Sequence, residues 1–211
     1  MRRYTPVTSG LLIIIAAVFG YEVITQAYNS ETAMKNLGAI VPHILENGQY
    51  WRLVAAMFLH AGWLHWFVNS WALYQLGTLY ETLFGSTRFA MIYFVSGIVA
   101  SIASSIHMSE GLGVGASGAI FGILGAFIFS IRRSPQYRHQ PWSKSLISQL
   151  IFWIVVNIAI GASFKFIDNT AHIAGLVTGL LLGLVPQRVP PAPPGQMVID
   201  LPSSAPSQNQ P

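Results

Sequence analysis

The chain has 211 residues, of which 53% are apolar and only 9% are charged, with a net charge of +4. Soluble globular domains carry about a quarter of their residues as charged side chains, so the composition excludes that class and points to a polytopic membrane protein. The excess positive charge then reads as loop charge that orients helices, not as a nucleic-acid surface. With no cysteine, disulfides, thiolate metal sites and a cysteine nucleophile are excluded.

Residues 10–28 are apolar apart from Glu22, Thr25 and Gln26, and follow a basic start at Arg2 and Arg3. That pattern also suits a signal peptide, but no A-x-A cleavage site follows, so it reads as a first transmembrane helix. Residues 29–49 form a mixed loop with Pro42 and Gly48. Residues 50–59 are aromatic and amphipathic around Trp51 and Arg52; such a segment lies in the membrane interface or packs as a loop on the bundle. Further helices are expected at about 62–83, 89–106, 117–131, 146–162 and 171–185, with a basic loop from Arg132 to Lys144. The last stretch, 187–211, is rich in Pro, Ser and Gln and is expected to be a disordered tail.

Six spans put both ends of the bundle on one side. With the N-terminus inside, the inner segments carry Arg2, Arg3, Arg88, Arg132, Arg133, Arg138, Lys144 and Arg188, against Lys35, Arg52 and Lys165 outside. The positive-inside rule therefore predicts an N-in, C-in all-α bundle. In that topology helices two, four and six all begin at the outer face, which brings His65, Asn69, Ser117 and His172 to one depth. Polar groups there are costly and face the bundle interior or water.

The stretch around Ser117 runs Gly113-Val114-Gly115-Ala116-Ser117-Gly118-Ala119-Ile120-Phe121-Gly122. Small residues at spacing four, such as Gly118 and Gly122, serve close helix packing in membranes, and alone this stretch reads first as packing. A serine that opens a helix also stands beside free N–H groups able to stabilise an oxyanion. The helix with His172 carries a second ridge, Ala171, Gly175, Gly179 and Gly183. If the ridges meet, His172 lands beside Ser117 and can take its proton. His65 and Asn69 share a helix face and, with the Ser117 amide, can donate to an oxyanion. Phe121, one turn after Ser117, is placed to hold the imidazole. Asp168 is read as facing outward, so the expectation is a Ser–His dyad without a third, acidic member.

These residues resemble the rhomboid intramembrane serine proteases. The resemblance spans about residues 50–185. It rests on Trp51-Arg52, on His60, His65 and Asn69 opening the second helix, on Glu81 at that helix's end, on Gly115-Ala116-Ser117-Gly118, and on Ala171-His172 followed by Gly175 and Gly179. Each motif is weak alone; their order and spacing make the match specific. The resemblance implies a six-span rhomboid-like catalytic domain over 1–186, of the basic bacterial form, in the bacterial plasma membrane with its site open to the outer side. It implies Ser117 as nucleophile, His172 as general base, and His65, Asn69 and the Ser117 amide as the oxyanion hole. It implies transmembrane proteins as substrates and the lipid bilayer as surroundings. Relatives often carry tyrosine where Phe121 stands, so a stacking role carries over and a hydroxyl role does not.

No cofactor, metal or nucleic-acid partner is expected. His60 and His65 are five apart with no acid between them, unlike the H-E-x-x-H pattern of zinc hydrolases. A transporter should show repeats or broken mid-membrane helices, and the polar residues cluster at one end instead. A catalytically silent scaffold that binds transmembrane clients is the alternative, although it should lack the serine or the histidine. Trp51-Arg52, His60 and Glu81 read as structural, the arginine as a partner of loop carbonyls and the glutamate as an acceptor at the cytoplasmic end of the second helix.

Overall fold

The structure, a computed structural model, describes residues 4–164 and 167–186. The expected tail at 187–211, together with Arg2, Arg3, Lys165 and Arg188, lies outside the described residues. Among the described residues there are eight α-helices and no strand; a lone antiparallel bridge joins Ile40 to Gly113. The helices are α1 (Pro6–Ile24), α2 (Glu31–Leu37), α3 (Arg52–Ala55), α4 (Trp63–Phe84), α5 (Ser86–His107), α6 (Ser117–Arg133), α7 (Pro141–Ser163) and α8 (Asn169–Leu184).

The six long helices fall where hydropathy places them, with shifted ends. α1 and α7 start earlier than expected because Pro6 and Pro141 occupy the first helical position, where a missing N–H costs nothing. Lys144 therefore belongs to α7, not to a loop. The loop at 29–49 contains α2, whose N-terminal Ser30 Oγ accepts from the Ala33 amide at 3.2 Å. Three helices, α1, α5 and α7, are long and apolar enough by themselves to cross a membrane. α4 is as long as α5 but carries His65, Asn69, Gln75 and Glu81, while α6 and α8 are shorter, at 17 and 16 residues.

α6 is the axis of the bundle. From Gly118 to Ile131 almost every residue is buried, with α8 and α5 against it most closely and α4 on a further side. A helix apolar on all sides has to be enclosed. The outer helices turn large apolar side chains outward, among them Leu64, Phe67, Trp71, Phe152, Trp153 and Leu181. In water that pattern would be an aggregation surface; it suits a lipid surround.

Two charged side chains pin the end of the bundle opposite Ser117. The Glu81 carboxylate accepts from the Val7 and Thr8 amides at 3.0 and 2.8 Å, and from the Thr8 and Ser86 hydroxyls at 2.7 Å each. It thus supplies from α4 the cap that the α1 N-terminus lacks, where a negative charge also meets the positive end of the helix dipole. This is the structural acceptor role expected for Glu81. Arg88 corrects its expected place in a loop. α4 and α5 are separated only by Gly85, so Arg88 sits in the first turn of α5 and is buried. Its guanidinium donates to Tyr80 Oη at 3.0 Å and to the Leu182 and Val185 carbonyls at 3.0 Å each, at the C-terminus of α8. These contacts bring the start of α1, the end of α4, the start of α5 and the end of α8 together. Tyr137 Oη donates to the Leu83 carbonyl at 3.2 Å and adds the α6–α7 connection to the same end.

Candidate active site

α6 and α8 approach as closely as backbones allow. A Cβ on Gly175 or Gly179 would overlap the carbonyl oxygens of Gly118 and Gly122, and one on Gly183 would lie 2.8 Å from the Ala126 carbonyl oxygen. The two ridges of small residues therefore interlock, and the packing reading of these glycines holds. Packing also delivers chemistry, because it puts the first turns of both helices side by side.

There, Ser117 Oγ lies 3.0 Å from His172 Nε2. The imidazole is buried, with only 8% of the residue exposed. It stacks on Phe121, with ring centroids 4.3 Å apart and planes at 7°. For Nε2 to accept from the serine, the ring proton must sit on Nδ1. Nδ1 has no hydrogen-bond partner among the described residues. The Asp168 carboxylate caps α8 instead, accepting from the Ala171 amide at 3.0 Å. The ring plane is thus set by aromatic stacking, with no carboxylate on Nδ1.

Ser117 is the first residue of α6. The residue before it, Ala116, offers no side-chain cap, and the first turn holds no acid. The opening N–H groups of the helix therefore have no partner within it, and they carry the positive end of its dipole. The preceding loop is tied down from two sides. Gly113 and Ile40 exchange N–H···O bonds of 3.0 and 2.9 Å, and the Gly115 amide donates to the Ala56 carbonyl at 2.9 Å. Gly115 has φ +113°, and a Cβ there would lie 2.7 Å from His65 Cε1 and Nε2. Glycine at 115 is required on both counts.

His65 and Asn69 stand on α4 beside this loop. Asn69 is buried; its Nδ2 donates to the His65 carbonyl at 3.0 Å, and among the described residues its second hydrogen and its Oδ1 have no partner. The Ala61 amide donates to His65 Nδ1 at 3.4 Å, which leaves Nε2 as the nitrogen facing Gly115. The His60 ring meets the His65 ring edge-on, with centroids 5.2 Å apart. Ser117, His172, His65 and Asn69 thus come from the first two turns of α6, α8 and α4.

Arg52 takes the structural role expected for it. It donates to the carbonyls of Lys35 and Ala39 and, at 2.6 Å, to Gln49 Oε1. One buried partnership escapes the sequence reading. Glu22, fully buried near the end of α1, accepts from the His60 amide at 3.1 Å. The available signal was a lone acid in an apolar span, which has to find a partner.

A helical bundle with an apolar exterior, and with a serine and a histidine in contact at the start of its central helix, has the architecture of a membrane protein. The family model of the Rhomboid domain matches residues 47–188. The chain is 35% identical over 162 residues to RHOMBOID-like protein 6, mitochondrial, of Arabidopsis thaliana, covering 74% of this chain and 50% of that protein. It is 36% identical over 151 residues to Rhomboid protease GluP of Bacillus subtilis (72% of this chain, 29% of that protein). It is 34% identical over 142 residues to Putative rhomboid protease YdcA of the same organism (66% of this chain, 68% of that protein). The chain belongs to the Rhomboid family, and like that family it is an integral membrane protein. The matched region is half or less of most of these relatives, 29% to 50% of the first seven.

Proposed function

We propose that the chain is an intramembrane serine endopeptidase that cuts transmembrane protein substrates with Ser117 as nucleophile and His172 as general base. The observation that carries this reading is the 3.0 Å contact between Ser117 Oγ and His172 Nε2 at an uncapped helix start. His172 Nε2 takes the hydroxyl proton as Oγ attacks the substrate carbonyl carbon. The negative oxygen of the tetrahedral intermediate is held by the Ser117 amide, the free Asn69 Nδ2 hydrogen and His65. As the peptide C–N bond breaks, His172 returns the proton to the leaving amine and an acyl ester remains on Ser117. Water, deprotonated by the same imidazole, then attacks the ester and releases the acid. Gly115, Gly118, Gly175 and Gly179 contribute by letting α6, α8 and His65 approach; Phe121 orients the imidazole.

α1, α4, α5, α6, α7 and α8 act as six spans. Both ends of the bundle face the cytoplasm, with the site open on the other side. Support comes from the cations Arg132, Arg133, Arg138 and Lys144 at the end opposite Ser117. The relatives come from a plant and a bacterium, so their similarity leaves the compartment open; the bacterial plasma membrane is proposed on charge alone. A substrate helix is inert while its amides are paired. The cleaved segment is therefore one that unwinds easily, near Gly, Pro or small residues.

The test compares wild type, Ser117→Ala and His172→Ala in liposomes carrying a single-span substrate, with a fluorophosphonate probe as a second readout. Cleavage and probe labelling by wild type alone support the dyad. Binding of the substrate without cleavage or labelling by any form would favour the scaffold reading. Cleavage by Ser117→Ala would sink the mechanism.

A further inference from the structure

At the end of the bundle opposite Ser117, the last turn of α6 and the first three turns of α7 border a cleft of about 450 Å³. Arg132, Arg138, Lys144, Ile147, Ser148 and Ile151 line it. The cations are exposed, and Ile151 presents 43% of its surface. Three positive heads thus stand at the rim of a membrane-facing helix, directly above apolar surface that continues along α7 through Phe152 and Val155.

No described acid nearby answers this charge. Among the described residues, Glu81 is the one acidic side chain at this end, and its oxygens are taken by Val7, Thr8 and Ser86. Glu22, Glu31, Glu46, Glu110 and Asp168 all lie toward the Ser117 end, in or after the C-terminal turn of α1, after α5 or before α8. Arg88 is used up inside the bundle, whereas no ion pair links Arg132, Arg138 or Lys144 to a described acid.

The scaffold beneath the cations is fixed. The turn between α6 and α7 closes with Tyr137 and Arg138 amides donating to the Ser134 carbonyl at 3.1 and 2.9 Å, and the Gln140 amide to the Tyr137 carbonyl at 3.0 Å. Ser143 Oγ donates to the Tyr137 carbonyl, and Tyr137 Oη reaches α4. The charges are thus presented on an ordered turn, which lowers the entropic cost of binding.

We propose that this cleft is a binding site for an anionic phospholipid. Arg132, Arg138 and Lys144 hold the phosphodiester, Ser148 donates its hydroxyl to the headgroup, and the first acyl carbons lie on Ile147 and Ile151. Charge complementarity selects an anionic headgroup over a zwitterionic one, and the apolar floor selects a lipid over a free phosphate. Ser117 and Arg132 are separated by about 22 Å of helix, taking 1.5 Å per residue, so the site is separate from the serine. It requires only that the bundle spans a bilayer.

The test is native mass spectrometry of the full chain in mild detergent, with phosphatidylglycerol and phosphatidylcholine added in equal amounts. Wild type should retain phosphatidylglycerol in preference. Arg138→Gln and Lys144→Gln should each weaken that binding about fivefold, as about 1 kcal/mol per interfacial cation implies. Arg132→Gln/Arg138→Gln/Lys144→Gln should abolish the preference. Arg133→Gln, an exposed neighbour outside the cleft, should leave it unchanged. Soluble glycerophosphoglycerol at the same concentration should fail to displace the lipid. The proposal is overturned if wild type shows no preference, if Arg133→Gln weakens binding as much as Arg138→Gln, or if the soluble headgroup competes as well as the lipid. The single variants decide the matter should the triple variant fail to fold.

Discussion

Gly175 packs so closely on Gly118 that a methyl group on Gly175 would overlap the Gly118 carbonyl oxygen. The neighbouring contact, Gly179 on Gly122, has the same character. Residue 172 lies one turn before Gly175, and 117 directly precedes Gly118. The separation of these backbones therefore sets the distance between imidazole and hydroxyl.

Gly175→Ala should consequently act on both stability and activity. Overpacking costs about 1–3 kcal/mol where the neighbour is a side chain; here it is backbone, and the effect should reach the upper part of that range. The expected outcome is a lower unfolding midpoint in detergent and a large drop in kcat in the fraction that remains folded. Wild-type kcat in a folded Gly175→Ala protein would show that α6 and α8 need not touch for the serine to work.

Phe121 should act through the histidine. Because Nδ1 of His172 has no partner among the described residues, the stacked ring at 4.3 Å is the main restraint on the imidazole plane. An aromatic pair contributes about 0.5–1.5 kcal/mol beyond its burial. Phe121→Leu should therefore lower kcat about three- to tenfold with little change in KM, and Phe121→Tyr should retain stacking and activity. Steady-state kinetics on a reconstituted substrate would check this; equal kcat for Leu and Phe would remove the orienting role.

The elements legible in the sequence are those with a local signature. Apolar runs marked six helices, and two ridges of small residues at spacing four were enough to bring Ser117 and His172 together. What was not legible depends on contacts across the fold. Arg88 reads as a loop charge in the sequence because nothing local shows that Gly85 alone separates α4 from α5. The partner of Glu22 is an amide 38 residues away, a distance no periodicity encodes. The start of α1 depends on a carboxylate from α4, although Pro6 offered a local hint that the helix began early.

Asn69 should contribute to the transition state and little to substrate binding. One of its amide hydrogens is held by the His65 carbonyl at 3.0 Å, and the other is free for an oxyanion. Asn69→Asp preserves shape and removes both donors. Loss of one oxyanion donor costs about 10²–10³ in kcat, with KM close to wild type. A variant whose KM rises while kcat holds would assign Asn69 to ground-state binding instead.

Arg88 should matter for stability and not for chemistry. Its planar fork reaches Tyr80 on α4 and the Leu182 and Val185 carbonyls at the C-terminal end of α8 at once, with the Ser130 hydroxyl on α6 at 3.4 Å. Arg88→Lys keeps the charge, but one compact ammonium cannot span acceptors arranged for a fork. At least one buried partner is then left unsatisfied, at a cost of about 1–3 kcal/mol. The expected result is a lower thermal midpoint for Arg88→Lys, and a lower one still for Arg88→Met, which has no donor at all. Both variants should cleave with near wild-type kcat per folded molecule, since Ser117 stands at the far end of α6. An unchanged midpoint for Arg88→Met would mean that water satisfies the end of α8 as well as the guanidinium does.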